Sequence, residues 1–263
     1  MEDGMKVMVW AMVAISVSVC AFAETIPLWT EETLPAGMTT APERLEQGHL
    51  YDVSLPTLNF FPAPNPTQKL LPTLLVIPGG GYGCLAYAKE GTEIAQWLNG
   101  IGYSAAVLKY RIPGNRDGAL DDARQALKLL RQRASAWKID TTKMGMIGFS
   151  AGAHLTARVL HEASHGMAFA LLIYPAYLSE NGNTLAAEVV PSEPEVPTFI
   201  MQCRDDRNYV FSGLGYADYL IRRNCPVSFH LYATGGHGFG KQRPASSEAG
   251  HWTESAALWL KTL

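Results

Sequence analysis

Apolar residues along this chain alternate between short unbroken runs and helical stripes, a pattern that predicts strands separated by helices. Leu74 to Ile77 is fully apolar and is stopped by Pro78 and three glycines, as a strand buried on both faces would be. Ile94, Trp97, Leu98 and Ile101 then recur at i, i+3, i+4 and i+7, giving a helix with one apolar face that Asn99-Gly100 ends. Tyr103 to Leu108 is the next strand. Leu120, Ala123, Leu127, Leu130, Ala134 and Trp137 form one stripe of a helix over Asp117 to Trp137, about five turns long. Met144 to Phe149 reads as a strand, Ala151 to Leu160 as a helix and Ala168 to Tyr174 as a strand. Thr198 to Cys203 and Val227 to Tyr232 are two further strands, with a helix marked by Val210, Leu214, Ala217 and Ile221 between them. Trp252, Ala256, Trp259 and Leu263 mark a last helix. The expected fold class is α/β, with a mostly parallel central sheet covered by helices on both faces.

Three segments break this rhythm. Glu24 to Gln47 has no sustained periodicity and is expected to wrap over the domain as an extended arm. Leu50 to Phe60 alternates and carries aromatics, as a hairpin or edge strand does, before the series Pro62, Pro64 and Pro66. Pro175 to Pro197 is polar with four prolines, enough for a loop with a helical turn and hence a minimal cap. Upstream, Lys6 precedes the apolar run Val7 to Val19, and Ala21-Phe22-Ala23 has the small-x-small form of a signal-peptidase site. That run is short of the ~20 residues needed to span a bilayer. Glu2 and Asp3 depart from a positive signal start, whereas initiation at Met5 leaves a conventional one. Val19 beside Cys20 argues against a lipidated cysteine. The expected organisation is a signal peptide over 1–23, the arm over 24–49 and a catalytic domain over 50–263, exported to the periplasm or the medium.

Composition narrows the function classes. Lys and Arg number 21 against 24 Asp and Glu, a formal net charge of −3, so no basic excess points to nucleic acid or an anionic membrane surface. Cys84, Cys203 and Cys225 are widely spaced and lie in or beside apolar segments, so no disulfide framework is expected. The sequence has no C-x-x-C, no H-E-x-x-H and no histidine cluster at metal-ligand spacing, and neither a metal nor another cofactor is expected.

The chemistry concentrates in glycine-rich turns. Gly148-Phe149-Ser150-Ala151-Gly152 matches G-x-S-x-G where a predicted strand meets a predicted helix, the context such a nucleophile turn requires. A serine hydroxyl is a weak nucleophile until an imidazole takes its proton. Of the seven histidines, His237 stands in Thr234-Gly235-Gly236-His237-Gly238-Phe239-Gly240, just past the last strand. His154 reads as a packed helical side chain and His230 as a structural strand residue. His49, His161, His165 and His251 fall in segments read as surface. The acid that orients His237 is expected between serine and histidine in the chain, and Asp205 and Asp206 follow the strand Thr198 to Cys203. Asp206 is the first choice, with Asp205 open. Glu188, Glu193 and Glu195 read as solvated. Pro78-Gly79-Gly80-Gly81-Tyr82-Gly83 follows the first central strand and offers backbone amides for an oxyanion. Gly80, Gly81 and Ala151 are the expected donors. The loop lacks the lysine and the spacing of phosphate-binding glycine motifs. Tyr82, Tyr174 and Tyr177 fall near the crevice. Tyr82 and Tyr177 are candidates to stack on sugar rings, while core packing explains Tyr174 equally well.

With these elements in order, the chain resembles the α/β-hydrolase esterases related to lipases with an H-G-G-G loop, most of all the bacterial acetylxylan and feruloyl esterase-like group called BD-FAE-like. The resemblance is carried by Pro78 to Tyr82 with Lys89-Glu90-Gly91, Leu108-Lys109-Tyr110-Arg111, Gly148 to Leu155, and Gly235 to Gly240. It implies a secreted serine esterase that deacylates substituted plant-type poly- or oligosaccharides. Two departures stand out: an acid turn, Asp206 to Val210, one residue longer than the family's, and Ala153 where a third small glycine is common.

Overall fold

The computed structural model of the chain describes residues 24–35, 38–39, 41–65, 67–162, 166–179, 184–190, 196–242 and 246–263. The expected signal peptide over 1–23, His165, Glu193 and Glu195 lie outside them. The strands are β1 Glu24–Pro27, β2 Arg44–Glu46, β3 His49–Tyr51, β4 Thr57–Phe61, β5 Leu71–Ile77, β6 Ser104–Lys109, β7 Ile139–Phe149, β8 Phe169–Ile173, β9 Thr198–Cys203 and β10 Val227–Tyr232. The α-helices are α1 Glu93–Gly100, α2 Arg116–Trp137, α3 Ala151–His161, α4 Val210–Arg222 and α5 Trp252–Leu260. Eight strands form one sheet in the order β1-β4-β6-β5-β7-β8-β9-β10. From β6 to β10 all pairs are parallel, and β1 and β4 add antiparallel at one side.

Strand β5 explains why the sheet needs cover on both sides. Leu75 and Ile77 point into a core shared with α2 and α3, where Leu127, Leu130, Leu155 and Val159 meet them. Leu74 and Val76 point the other way, to Ile94 and Leu98 of α1 and Trp252 of α5. An apolar run without alternation is stable only when both faces leave water. A third cluster seats Tyr216, Ala217 and Leu220 of α4 on Leu172 and Ile200. The buried pair Arg111 and Asp122 ties α2 to the turn after β6, and Trp29 of the arm donates its indole N–H to the same carboxylate at 2.7 Å.

The arm differs from expectation. Residues 24–27 are strand β1 of the main sheet, and Arg44–Glu46 pairs with His49–Tyr51 in a small hairpin. Only Ile26 of β1 is buried, so a four-residue strand with one inward side chain carries no readable period. By pairing with β4, it moves the predicted edge strand one place inward. Between β8 and β9, residues 187–189 make the expected helical turn.

Candidate active site

Parallel strands feed their C-terminal ends to one edge, and the candidate residues gather there. Ser150 sits between β7 and α3 at φ 51° and ψ −117°, a conformation sparsely populated by non-glycine residues. Its N–H bonds to the Ile173 carbonyl at 3.0 Å, which holds the turn against β8. The glycines of the motif are there because nothing larger fits. A Cβ on Gly148 would stand 2.3 Å from the Gly152 carbonyl oxygen, and one on Gly152 2.1 Å from that of Ile77.

His237 reaches this turn from the loop after β10. Its Nε2 lies 2.7 Å from Ser150 Oγ, and its Nδ1 lies 2.7 Å from Asp206 Oδ2. A carboxylate only accepts, so Nδ1 carries the proton and Nε2 is left to accept from the serine hydroxyl. Asp206 is 4% exposed, and its carbonyl starts α4 by accepting the Val210 N–H at 2.8 Å. Asp205 bonds to the backbone of the His237 loop and not to the imidazole. Its carboxylate accepts the N–H groups of Gly235 and Gly236 at 3.2 and 2.8 Å and so holds the histidine loop.

The glycine loop after β5 is tied down on both sides of its centre. Tyr110 donates its hydroxyl to the Pro78 carbonyl at 2.8 Å, the Gly79 N–H donates to Glu90 Oε2 at 2.8 Å, and the Gly114 N–H donates to the Tyr82 carbonyl at 2.8 Å. Between these anchors Gly80 and Gly81 run at φ 129° and 64°. Among the described residues, no hydrogen bond uses the N–H of Gly80, Gly81 or Ala151. Burial pushes the Glu90 carboxyl up from its usual range, against the pull of its Tyr174 and Gly79 donors.

Of the two tyrosines expected to meet sugars, only Tyr177 borders the cleft. Tyr82 is 2% exposed, and its hydroxyl donates to His154 Nδ1 at 2.7 Å. Its ring packs edge-on against Tyr110 and His154. His154, packed as expected, donates from Nε2 to Glu188 at 3.3 Å. Burial, with Arg116 nearby, lowers its pKa to about 4. Glu188 is therefore partnered, although partly exposed. Tyr174 is buried, with its hydroxyl on Glu90. His230 stacks on Phe199 at 4.7 Å, in keeping with a structural role.

The cleft over Ser150 has a volume of about 220 Å³ and is also bordered by His49, Lys89 and Tyr209, none of which sequence reasoning assigned to it. Tyr209 comes from the turn that follows Asp206. Its ring lies 4.9 Å from that of His237, and its hydroxyl bonds to that of Tyr177 at 3.4 Å, which pushes the Tyr209 pKa up to about 12. A larger groove of about 320 Å³, bordered by Phe60, Gln68 and Trp137, lies near the opposite strand ends and brings no nucleophile and base together.

The fold has known counterparts. An acetyl ester-xyloside bifunctional hydrolase from Caldicellulosiruptor lactoaceticus superimposes with a TM-score of 0.77 at 26% identity, over 93% of this chain and 98% of that one. Residues 59–167 match the BD-FAE family model. The chain has the α/β-hydrolase fold. It is 28% identical over 204 residues to an acetylxylan esterase of Xylanibacter ruminicola, a stretch covering 67% of this chain and 42% of that protein. It is also 38% identical over 88 residues to endo-1,4-beta-xylanase B of Butyrivibrio fibrisolvens, covering 31% of this chain and 14% of that protein. The chain thus spans less than half the length of these relatives. A polarised serine beside free amides in an open cleft is equipped for nucleophilic acyl transfer.

Proposed function

We propose that the chain is an exported serine esterase that removes acetyl or feruloyl groups from plant-type poly- or oligosaccharides. The observation that carries this reading is the hydrogen-bonded line from Ser150 through His237 to Asp206, beside a loop with unused amides. Ser150 Oγ attacks the ester carbonyl as its proton passes to His237 Nε2, and the Asp206 carboxylate balances the imidazolium. The oxyanion of the tetrahedral intermediate accepts from the N–H groups of Gly80, Gly81 and Ala151, each worth about 3 kcal/mol in such sites. Collapse expels the sugar alcohol, which takes the proton from His237. Water, deprotonated in turn by His237, then releases the carboxylic acid from the acyl-serine.

The substrate class is supported by similarity to an acetylxylan esterase and to part of a xylanase. Half-buried Tyr177 and Tyr209 supply an aromatic wall beside the serine for a sugar ring or an aromatic acyl group. Export is supported by the apolar run Val7 to Val19 followed by Ala21-Phe22-Ala23, and protein recovered outside the cytoplasm should begin at Glu24. No helix among the described residues is long and apolar enough to cross a membrane. Ser150→Ala should lower kcat on p-nitrophenyl acetate and acetylated xylan by about 10⁶. Undiminished hydrolysis by that variant refutes the assignment. Aminoacyl amides and lactones assayed alongside separate an esterase from a peptidase or lactonase on the same residues.

A further inference from the structure

Glu90 is 1% exposed at the floor of the cleft, and the acyl-transfer steps make no direct use of it. It stands on a π turn, Ala88–Thr92, ahead of α1, a winding that is rare and recurs at functional positions. Its two oxygens serve two different loops. Oε2 accepts the Gly79 N–H at 2.8 Å and Oε1 accepts the Tyr174 hydroxyl at 2.8 Å. The Tyr174 oxygen accepts in turn from the Gly240 N–H at 2.8 Å, and the Gly240 carbonyl is held by the Trp252 indole at 2.9 Å. The path runs beside both reacting groups. Gly79 backs onto the nucleophile turn, where a Cβ would stand 2.8 Å from that of Ser150. Gly240 follows His237 in the same loop, and the Tyr174 ring packs 5.0 Å from the His237 ring.

We propose that Glu90, acting through Tyr174, is a positioning residue that sets the spacing of the oxyanion loop and the histidine loop around Ser150. The proposal rests on the esterase reading. Donors point inward from both ends: Gly240 to Tyr174, Tyr174 to Glu90, and Gly79 to Glu90. Only a group that accepts at both oxygens terminates such a path. A carboxylate does so, whereas a carboxamide presents one acceptor and one donor. Glu90→Gln therefore keeps the volume but sets an N–H₂ against either the Gly79 N–H or the Tyr174 hydroxyl. Tyr174→Phe keeps the ring and cuts the path at its middle.

The test measures kcat and KM on p-nitrophenyl acetate for Glu90→Gln, Tyr174→Phe and the double variant. Rates are counted per active site titrated with a phosphonate inhibitor, and each variant's Tm is recorded. Displacing catalytic groups by about 1 Å costs about 100-fold, so each single variant should lose about 10- to 100-fold in kcat with KM within about twofold. The double variant should be no slower than the worse single one, because both cut one path. A lower Tm with kcat per titrated site within about twofold of wild type, in either variant that folds, makes the path merely structural and overturns the proposal. Failure of the esterase reading looks different: Ser150→Ala and wild type then hydrolyse the ester at the same rate.

Discussion

Exchanging Asp206 and Asp205 for asparagine one at a time tests which carboxylate serves His237. Asp206 is 4% exposed, and its Oδ2 lies 2.7 Å from Nδ1, so water screens the pair weakly. When His237 takes the serine proton, two unit charges face each other across 2.7 Å. At an effective dielectric of about 20 they attract by about 6 kcal/mol, or about four decades in rate. Asparagine removes this attraction, and if its N–H₂ turns to Nδ1 it also imposes the wrong tautomer. Aspartate-to-asparagine exchange in serine-protease triads costs a similar ~10⁴. Asp206→Asn should therefore lower kcat on p-nitrophenyl acetate about 10⁴-fold with KM little changed. Asp205 is exposed and holds two loop amides, of which asparagine still satisfies one. Asp205→Asn should cost about 0.5–1.5 kcal/mol of stability and less than about tenfold in kcat. A loss of rate in Asp205→Asn that equals or exceeds that in Asp206→Asn refutes the reasoning.

Two further outcomes follow from packing and from titration. Gly148→Ala places a Cβ 2.3 Å from both the Gly152 carbonyl oxygen and Thr156 Oγ1, so the turn must open. Urea unfolding should show a loss of about 1–3 kcal/mol or more, and an unchanged midpoint would mean the turn is looser than described. Folding lowers the His154 pKa from 6.5 to about 4, so the unfolded chain takes the proton first as the pH falls. The stability this contributes is complete above pH 6.5 and is lost as the pH falls toward 4. Between pH 7 and pH 5 wild type should lose about 2 kcal/mol more than His154→Gln, and parallel losses would contradict a buried neutral imidazole.

How much of this was legible in the sequence depended on how local each cause is. The expected strands and helices from Leu74 onward follow from apolar runs and 3.6-residue stripes, because burial acts on each segment's own pattern, whereas β5 and β7 start before their runs, at Leu71 and Ile139. Strand β1 escaped notice because its stability comes from pairing with β4, thirty or more residues away, which leaves no period behind. Tyr82 reads as a wall of the cleft from its place in the glycine loop, but its partner His154 lies 72 residues away and draws its hydroxyl into the core.

The sequence by itself determined the α/β alternation, the serine turn and its glycines, the glycine loop upstream and the histidine loop downstream. Each is dictated by sterics within a few residues or by chain order. Only the tertiary structure decided between Asp206 and Asp205 as the partner of His237, since both carboxylates reach the histidine loop and sequence does not record which meets its backbone amides and which the imidazole. It also brought Tyr209 beside His237 and joined Glu90 to Gly79 and, through Tyr174, to Gly240. Those contacts cross the sheet edge between separate loops, where register and packing, acting over the whole chain, set the distances.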